Sequence, residues 1–263
     1  MPKKSDLIGA WLIVVCMCMP VIGCAHNQSP NETYDPLENI NRHTHNFNNM
    51  LDRVFLNPIV DSYLENTHPN FRLTVTNFYD NLGYPNVILN DFLQGKFKQG
   101  LSDTGRFLIN TTLGVGGLFD AGTVFGFEEH HEDFGQTLAV WGVGNGPYLD
   151  PPLIGPTTSR DILDNGSSAI TNIFFYVSLP VLVGGVTFIA PVVALGIIDK
   201  RSRVDEALQI RDDMALDSYI FTREAYLQNR RFKIHDGHIP TEDLYDATIF
   251  DEFEEWEDNQ EPN

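Results

Sequence analysis

The chain has 263 residues, with 17 Lys and Arg against 36 Asp and Glu, so its formal net charge is −19. A surface with this excess of negative charge repels phosphate backbones, which argues against nucleic acid as a partner and against attachment to anionic lipid through a basic face. With 42% hydrophobic residues and 18 Phe, the composition is that of a globular protein and not of a disordered or fibrous chain.

Residues 1–23 have the layout of an export signal, with two lysines ahead of an apolar run over 7–19. The segment resembles a bacterial lipoprotein signal, which implies that Cys24 is lipidated and becomes the first mature residue. Because Ala25 follows and not Asp, the same resemblance implies sorting to the outer membrane. The alternative is a transmembrane anchor, but the run is shorter than the ~20 residues that a spanning helix needs.

The other two cysteines, Cys16 and Cys18, leave with the signal, so the mature chain has no thiol to pair and its fold depends on burial. Residues 24–34 are polar and lack periodicity. We interpret them as a tether between the lipid and a folded domain over 35–240.

Four helical patterns follow the tether. The first begins at 35–38, a segment with the residue types of a capping box. The second is interrupted near Pro85, the third spans about 86–94, and the fourth ends at Gly114. No run of alternating apolar and polar residues is long enough for a sheet, so these patterns predict an all-α fold.

The segment 142–156, called here the 142–156 loop, is too rich in Gly and Pro for a regular helix. The stretch 165–198 contains no charged residue, and its length alone would suggest a membrane-spanning helix. Five residues divide it into pieces too short to cross the bilayer, namely Pro180, Gly184, Gly185, Pro191 and Gly196. We predict broken helices that enter the apolar layer without crossing it; a buried soluble hairpin is the alternative.

The pattern becomes amphipathic again over 203–234. The tail 241–263 carries ten acidic residues and no basic one, interleaved with aromatic residues. We interpret this tail as disordered, with docking on a basic partner as the alternative.

No set of residues assembles into a catalytic or metal-binding motif. His130 and His131 are adjacent, so they would point apart on a helix, and a solvated turn over 128–133 is favoured over a metal site. Asp133-Phe134-Gly135 matches the magnesium motif of kinases, but no ATP-binding loop accompanies it. We therefore predict no metal, no cofactor and no enzymatic activity.

A series of sequence blocks over about 35–237 closely resembles the MlaA (VacJ) lipoprotein family. The blocks are Asp35-Pro36-Leu37-Glu38, Asn41-Arg42, Phe47-Asn48, Asn77-Phe78, Asn81-Leu82 with Pro85, Leu93-Gln94-Gly95-Lys96, Gly105-Arg106-Phe107, Asn110-Thr111-Thr112-Leu113-Gly114, Gly117-Leu118-Phe119-Asp120, Asp133-Phe134-Gly135-Gln136-Thr137-Leu138, Trp141-Gly142-Val143-Gly144, Gly146-Pro147-Tyr148, Arg160-Asp161 and Arg223-Glu224-Ala225-Tyr226.

The resemblance implies an all-helical, ring-like protein, built from amphipathic and broken apolar helices, embedded in the inner leaflet of the outer membrane at its periplasmic face. It implies a central channel through which mislocalised phospholipid leaves the outer leaflet and passes to a soluble periplasmic carrier, so that lipid asymmetry is maintained. A trimeric porin is a further implied partner. The alternative is a structural lipoprotein that associates with a porin and transports nothing.

A phospholipid that crosses a leaflet needs a polar path for its headgroup, because a charged headgroup in hydrocarbon is costly. We hypothesise that Asn46, Phe47 and Asn48 on the first helix line part of this lipid route. We hypothesise further that the 142–156 loop sets whether the route is open. Its candidate gating residues are Gly142, Gly144, Gly146, Pro147 and Pro151.

Overall fold

The computed structural model describes residues 35–164 and 189–238. Within them the regular secondary structure is helical apart from one short strand pair, so the predicted all-α fold is confirmed. The helices are α1 (Glu38–Leu51), α2 (Asn57–Asn66), α3 (Pro69–Leu93), α4 (Phe97–Thr112), α5 (Ala121–Val124), α6 (Phe134–Val140), α7 (Ile189–Ser202), α8 (Asp205–Met214) and α9 (Ser218–Ile234). Strands β1 (Tyr148–Leu149) and β2 (Thr157–Thr158) pair antiparallel.

No helix in these two described ranges combines the length and the apolar composition needed to cross a membrane. The predicted signal peptide, the tether, Cys24, the acidic tail and the segment 165–188 lie outside the described residues. The predictions made for them stay predictions.

Helix α1 begins where the sequence predicts. Asp35 Oδ1 accepts the backbone N–H of Leu37 at 3.1 Å, and the Asp35 carbonyl accepts the N–H of Glu38 at 3.2 Å. The expected capping box is not formed, because the Glu38 carboxylate bonds Arg42 Nε one turn later at 2.7 Å. A charge-assisted bond of this kind is stronger than a bond to a neutral amide.

A π-helical turn, Asp52–Leu56, joins α1 to α2, and the N–H of Asn57 donates to the Asp52 carbonyl. Pro58 follows directly; it has no N–H for an α-helical bond and its ring crowds the preceding turn, which the wider π turn relieves. Arg201 of α7 binds both carboxylate oxygens of Asp52, at 2.7 and 2.9 Å, and the side-chain oxygen of Asn57 at 3.2 Å. The π turn is therefore held from α7.

Helix α3 passes through Pro85 without a break, so the predicted interruption near Pro85 and the separate helix over 86–94 were wrong. A proline inside a helix costs about 3 kcal/mol, and here packing on both sides outweighs that cost. Before Pro85, Asn81 Nδ2 donates to a threonine hydroxyl of α4 at 3.1 Å. After it, Asn90 Oδ1 accepts from a threonine hydroxyl of α6 at 2.8 Å.

The prediction that Gly196 divides the apolar stretch was also wrong, since it lies well inside α7. Pro191 is in the first turn, where its missing N–H removes no helical bond. Gly196 has a packing role: a Cβ there would lie 2.8 Å from Cε1 of Tyr79 on α3. The Tyr79 hydroxyl donates to the carbonyl of Val192, so α7 and α3 meet at close range.

The amphipathic stretch 203–234 forms two helices, α8 and α9. Leu216 lies between them and is fully exposed. Asp217 caps α9, since its carboxylate accepts the backbone N–H groups of Tyr219 and Ile220 at 2.9 and 3.2 Å.

Burial is inverted in the described residues: polar side chains fill the interior and large apolar ones face outward. The buried large apolar residues are Val60, Val75, Tyr84, Tyr148 and Tyr219. Buried polar and charged residues occur on α1, α3, α4, α6, α7, α8 and α9. Exposed large apolar residues include Ile40, Phe47, Met50, Val54 and Phe55 on α1 and the π turn, and Phe97, Leu101 and Leu108 on α4.

Candidate functional site

One face of α1 binds the 142–156 loop through Asn41, His45 and Asn48, which lie four and three residues apart and so share a helical face. The Asn41 amide donates to the Tyr148 carbonyl at 2.9 Å and accepts the N–H of Asp150 at 3.1 Å. His45 Nδ1 lies 2.8 Å from Asp150 Oδ2. The two segments singled out by the sequence are therefore in direct contact.

Of the three predicted lipid-route residues, only Asn48 belongs to this contact. Its Nδ2 donates to Asp150 Oδ1 and to the Pro151 carbonyl, at 3.0 and 3.1 Å, and its Oδ1 accepts the N–H of Leu153 at 2.9 Å. Asn46 and Phe47 are exposed. Whether any of the three lines a lipid route stays a prediction.

Asn41 and His45 are residues of this contact that were not predicted from the sequence. The signal that could have found them is their spacing with Asn48, since three polar side chains at i, i+4 and i+7 on an amphipathic helix share one face. Their partners lie more than a hundred residues away along the chain and carry no local signature.

His45 also connects this contact to α9, because its Nε2 lies 3.4 Å from Ser218 Oγ. Ser218, His45 and Asp150 thus stand in the order of a hydrolase triad. An acyl-transfer site also needs free N–H groups for the oxyanion, and the two amides that follow Ser218 are occupied by the Asp217 carboxylate. The three residues therefore suit positioning: they tie α1, the loop and the start of α9 together.

Within the 142–156 loop, the candidate gating glycines differ in their surroundings. Gly142 follows the end of α6 and donates its N–H to the Ala139 carbonyl at 2.9 Å. Its φ of +88° is the conformation that glycine favours after a helix. Gly146 has φ +63°, and a Cβ there would lie 1.9 Å from Ser159 Oγ. Gly144 has open space where a Cβ would be.

The two candidate prolines act through their carbonyls. The Pro147 carbonyl accepts the N–H of Ser159 at 3.1 Å, and the Pro151 carbonyl accepts from Asn48. The strand pair and α1 therefore both hold the loop between Pro147 and Leu153, and Gly144 precedes this held part. That it gates a route stays a prediction.

Tyr148 fixes the loop against α9, because its buried ring packs edge-on against Tyr219 and Tyr226, with centroids 6.0 and 6.1 Å apart. Burial, reinforced by the charge of Asp150, raises the pKa of Tyr148 far above its usual value, so the phenol stays neutral. Tyr219 in turn donates its hydroxyl to Asp35 at the start of α1.

A second buried network holds α6 to α9. Arg230 bridges Asp133, at 2.5 and 3.0 Å, and Asp161, at 3.0 Å. Burial alone would raise the pKa of Asp133, but the hydrogen bond and charge of Arg230 lower it. A Cβ on Gly135 would lie 2.5 Å from Asp161 Oδ1, so this glycine makes room for the network. The Asp133-Phe134-Gly135 motif thus has a packing role here.

The segment 128–133 differs in part from the predicted solvated turn. His131 is exposed, whereas His130 Nδ1 lies 3.0 Å from Asp103 Oδ1. Glu132 is buried, and Lys96 Nζ compensates its carboxylate at 2.8 Å. In the part of the chain that the structure describes, no three His, Cys, Asp or Glu side chains are grouped so that they could hold a metal ion.

These features define a class: an all-helical protein whose large apolar side chains face outward around a polar interior. The family profile described as MlaA lipoprotein matches residues 33–233. The chain is 34% identical over 225 residues to the Shigella flexneri protein named intermembrane phospholipid transport system lipoprotein MlaA, covering 83% of this chain and 86% of that one. The protein of the same name from Escherichia coli (strain K12) is 33% identical over the same coverage.

An uncharacterized protein of Rickettsia typhi is 42% identical over 141 residues, or 54% of this chain and 55% of that one, so the chain spans about half the length of such relatives. A solved structure described as "Structural basis for maintenance of bacterial outer membrane lipid asymmetry" matches with a TM-score of 0.62 and 30% identity, over 76% of this chain and 99% of that one. The chain belongs to the MlaA lipoprotein family.

Proposed function

We propose that this protein removes mislocalised phospholipid from the outer leaflet of the outer membrane through a central channel and passes it to a soluble periplasmic carrier. It breaks no covalent bond in doing so. Family membership supports the proposal, since the Shigella and Escherichia relatives are named as lipoproteins of an intermembrane phospholipid transport system. Cys24 is the proposed site of lipidation, and a trimeric porin is a proposed neighbour.

The inverted burial is the observation that carries the proposal. Outward apolar side chains such as Phe55 and Leu101 suit contact with hydrocarbon, whereas an interior of Asn, Asp and Arg suits a zwitterionic headgroup. A water-soluble helical protein has the opposite arrangement. The all-α fold and its match to the solved structure are compatible with a ring of helices embedded in the inner leaflet at the periplasmic face.

Helix α1 supports a polar route in particular. Its apolar residues Ile40, Phe47 and Met50 are exposed, while Asn41 and His45 are buried against the 142–156 loop. The helix therefore separates an apolar exterior from a polar interior. The loop contacts that interior face, which is the position that a gate for the headgroup requires.

The proposal is tested by lipid transfer between labelled proteoliposomes that contain the full-length lipoprotein and the cognate soluble carrier. We expect transfer with the wild type and a loss of several-fold with Gly144→Pro, which restricts the backbone of the loop. Gly144→Ala is the matched control, since its methyl group enters open space, and it should transfer at the wild-type rate.

If the wild type carries no lipid and transfers none, the chain is a structural lipoprotein that associates with a porin, and the transport proposal is wrong. If both substitutions leave transfer unchanged, transport stands and the gating role of the loop is wrong. Release of free fatty acid would contradict the absence of catalysis.

A further inference from the structure

Two carboxyl groups meet inside the protein where α3 packs on α4. Asp91 of α3 and Asp103 of α4 are both fully buried and lie within hydrogen-bonding reach of each other. Gln99 donates to Asp91 Oδ1 at 2.8 Å, and His130 Nδ1 lies 3.0 Å from Asp103 Oδ1. Among the described residues, the Oδ2 atoms of both aspartates have no hydrogen-bond donor.

The neighbouring cations do not compensate these carboxylates. Lys96 is bound to Glu132 at 2.8 Å and to Asp236 at 2.5 Å. Glu132 itself adds negative charge next to the pair, since Gln99 bonds both Glu132, at 3.0 Å, and Asp91. Two fully buried carboxylates side by side without a cation are electrostatically untenable, because burial favours the neutral form.

Arg106, a buried cation on the Asp103 side, bonds other acceptors through its terminal nitrogens, while its Nε has no hydrogen-bond partner within the described ranges. Arg106 of α4 bonds Asp120 at 2.9 Å and the Phe127 carbonyl at 2.8 Å. Its guanidinium lies 3.6 Å from Glu129. The Tyr84 hydroxyl accepts the backbone N–H of His130. Burial and the nearby charge of Asp103 raise the pKa of Tyr84, so this phenol stays neutral. His130, when protonated, is the remaining group that could partly compensate Asp103.

We propose that Asp91 and Asp103 share one proton, and that its loss at alkaline pH drives α3 and α4 apart at this point. A shared proton supplies a hydrogen-bond donor between two carboxyl groups whose Oδ2 atoms otherwise have none in the described part of the chain. Burial first, and then the hydrogen bond and charge of Asp103, raise the pKa of Asp91 to about 8; the charge of Glu132 adds to this and the bond from Gln99 opposes it.

Separation of the ionised carboxylates requires a helix to move. A Cβ on Gly100 of α4 would lie only 3.1 Å from Asp91 Cβ, so α4 backbone packs directly against the base of this side chain. Asp91 and Asp103 are both fully buried, so within the existing packing neither carboxylate can reach solvent. The repulsion acts on the backbone of the two helices, and the pair is a proton-dependent switch in the α3–α4 packing.

The linkage has a definite sign. A carboxyl whose pKa is raised in the folded state binds a proton that the unfolded chain has already lost, so stability falls as pH rises. Through this carboxyl, the folding equilibrium constant falls about tenfold for each unit that the pH rises between about pH 5 and 8. Above that range the carboxyl has no further effect on the constant. A carboxamide at position 91 cannot ionise and can donate to Asp103.

The test compares the full-length wild type with Asp91→Asn in urea unfolding from pH 5 to 9.5, with Asp213→Asn at an exposed position of α8 as the matched control. We expect the folding equilibrium constant of Asp91→Asn, divided by that of the wild type, to rise about tenfold per pH unit up to about pH 8. The Asp213→Asn ratio should stay constant. A constant ratio for Asp91→Asn as well would overturn the proposal.

A second measurement uses only the folded wild type, so it holds even if Asp91→Asn does not fold. Infrared difference spectra should contain a protonated carboxyl band at pH 6.5 that disappears by pH 9.5. Over the same range, amide exchange around 91 and 103, corrected for its intrinsic pH dependence, should accelerate at least several-fold. A missing carboxyl band at pH 6.5 contradicts the shared proton, and unchanged exchange contradicts the separation of the helices.

Discussion

Asn48 and Asp150 join α1 to the 142–156 loop at 3.0 Å, although they are 102 residues apart in the chain. The same carboxamide also bonds the loop backbone at Pro151 and Leu153, so one side chain provides both donors and an acceptor. Asn41 and His45 also bind the loop, so loss of the Asn48 bonds weakens its attachment to α1 without abolishing it. This makes its attachment experimentally separable from the fold.

The first prediction concerns that attachment. Asn48→Leu removes three hydrogen bonds, and at about 1 kcal/mol each the loop should be loosened by about 2–3 kcal/mol. Limited proteolysis within 142–156 should become at least tenfold faster. Asn46→Leu makes the same change at an exposed neighbour, and its loop should be cut at the wild-type rate. Equal rates for the two variants would mean that Asn48 does not hold the loop.

The second prediction concerns His45. Replacement by Phe keeps a ring next to Tyr219 but removes the buried hydrogen bond between the imidazole and Asp150, which should lower the free energy of unfolding by about 1–3 kcal/mol. Adding Asp150→Asn to His45→Phe should restore part of this loss, because the uncompensated charge is gone. A double-mutant cycle from urea unfolding measures the coupling. Strict additivity would contradict a direct interaction.

The third prediction concerns Arg230. Its replacement by Met leaves Asp133 and Asp161 buried without their cation, and the free energy of unfolding at pH 7 should fall by about 3–5 kcal/mol. Because the pKa values of both carboxyls are lowered in the folded wild type, the stability they contribute is present above about pH 4 and is lost as pH falls below it.

The difference between wild type and Arg230→Met should therefore narrow in acid. Arg231→Met, at the exposed neighbouring position of α9, serves as the control and should differ from the wild type by less than about 1 kcal/mol at every pH. A difference for Arg230→Met that is independent of pH would show that packing of the long side chain, and not its charge, is what matters.

The fourth prediction uses two helical glycines of opposite character. Gly196→Ala places a methyl group 2.8 Å from the Tyr79 ring and should destabilise the protein by about 1–3 kcal/mol. Gly83→Ala in α3 meets nothing within 4 Å and should stabilise it by up to about 1 kcal/mol through helix propensity. Thermal unfolding compares the two. The same sign for both substitutions would mean that the approach of α7 to α3 is not as close as described.

The helical class and several helix ends could be predicted from the sequence because they are local properties. Apolar periodicity marks α1 and α4, and the residues at 35–38 mark the start of α1. The predicted break at Pro85 was wrong because it depends on tertiary contacts. Proline locally favours a helix break, but the hydrogen bonds of Asn81 and Asn90 to other helices outweigh that local cost. A residue's distant partners are not visible in a window of sequence.

The candidate site was predictable in its parts but not in its assembly. The 142–156 loop and Asn48 could be singled out from composition and family blocks. The contact between them depends on Asn41 and His45 meeting Asp150, and on Asp35 meeting Tyr219, over separations that periodicity does not encode. The buried polar pairs were missed too, because a polar residue at a helical position is normally assigned to the solvated face.

The shared face of Asn41, His45 and Asn48 changes what a deletion in α1 would mean. Each residue of an α-helix advances by about 100°, so removing Asn46 and Phe47 turns everything after them by about 200° relative to His45. Met50 would then occupy the position from which Asn48 reaches the loop. Such a deletion is a change of helical phase: it places a thioether where the Asn48 carboxamide bonds Asp150, Pro151 and Leu153, so of its described bonds to α1 the loop keeps only those of Asn41 and His45.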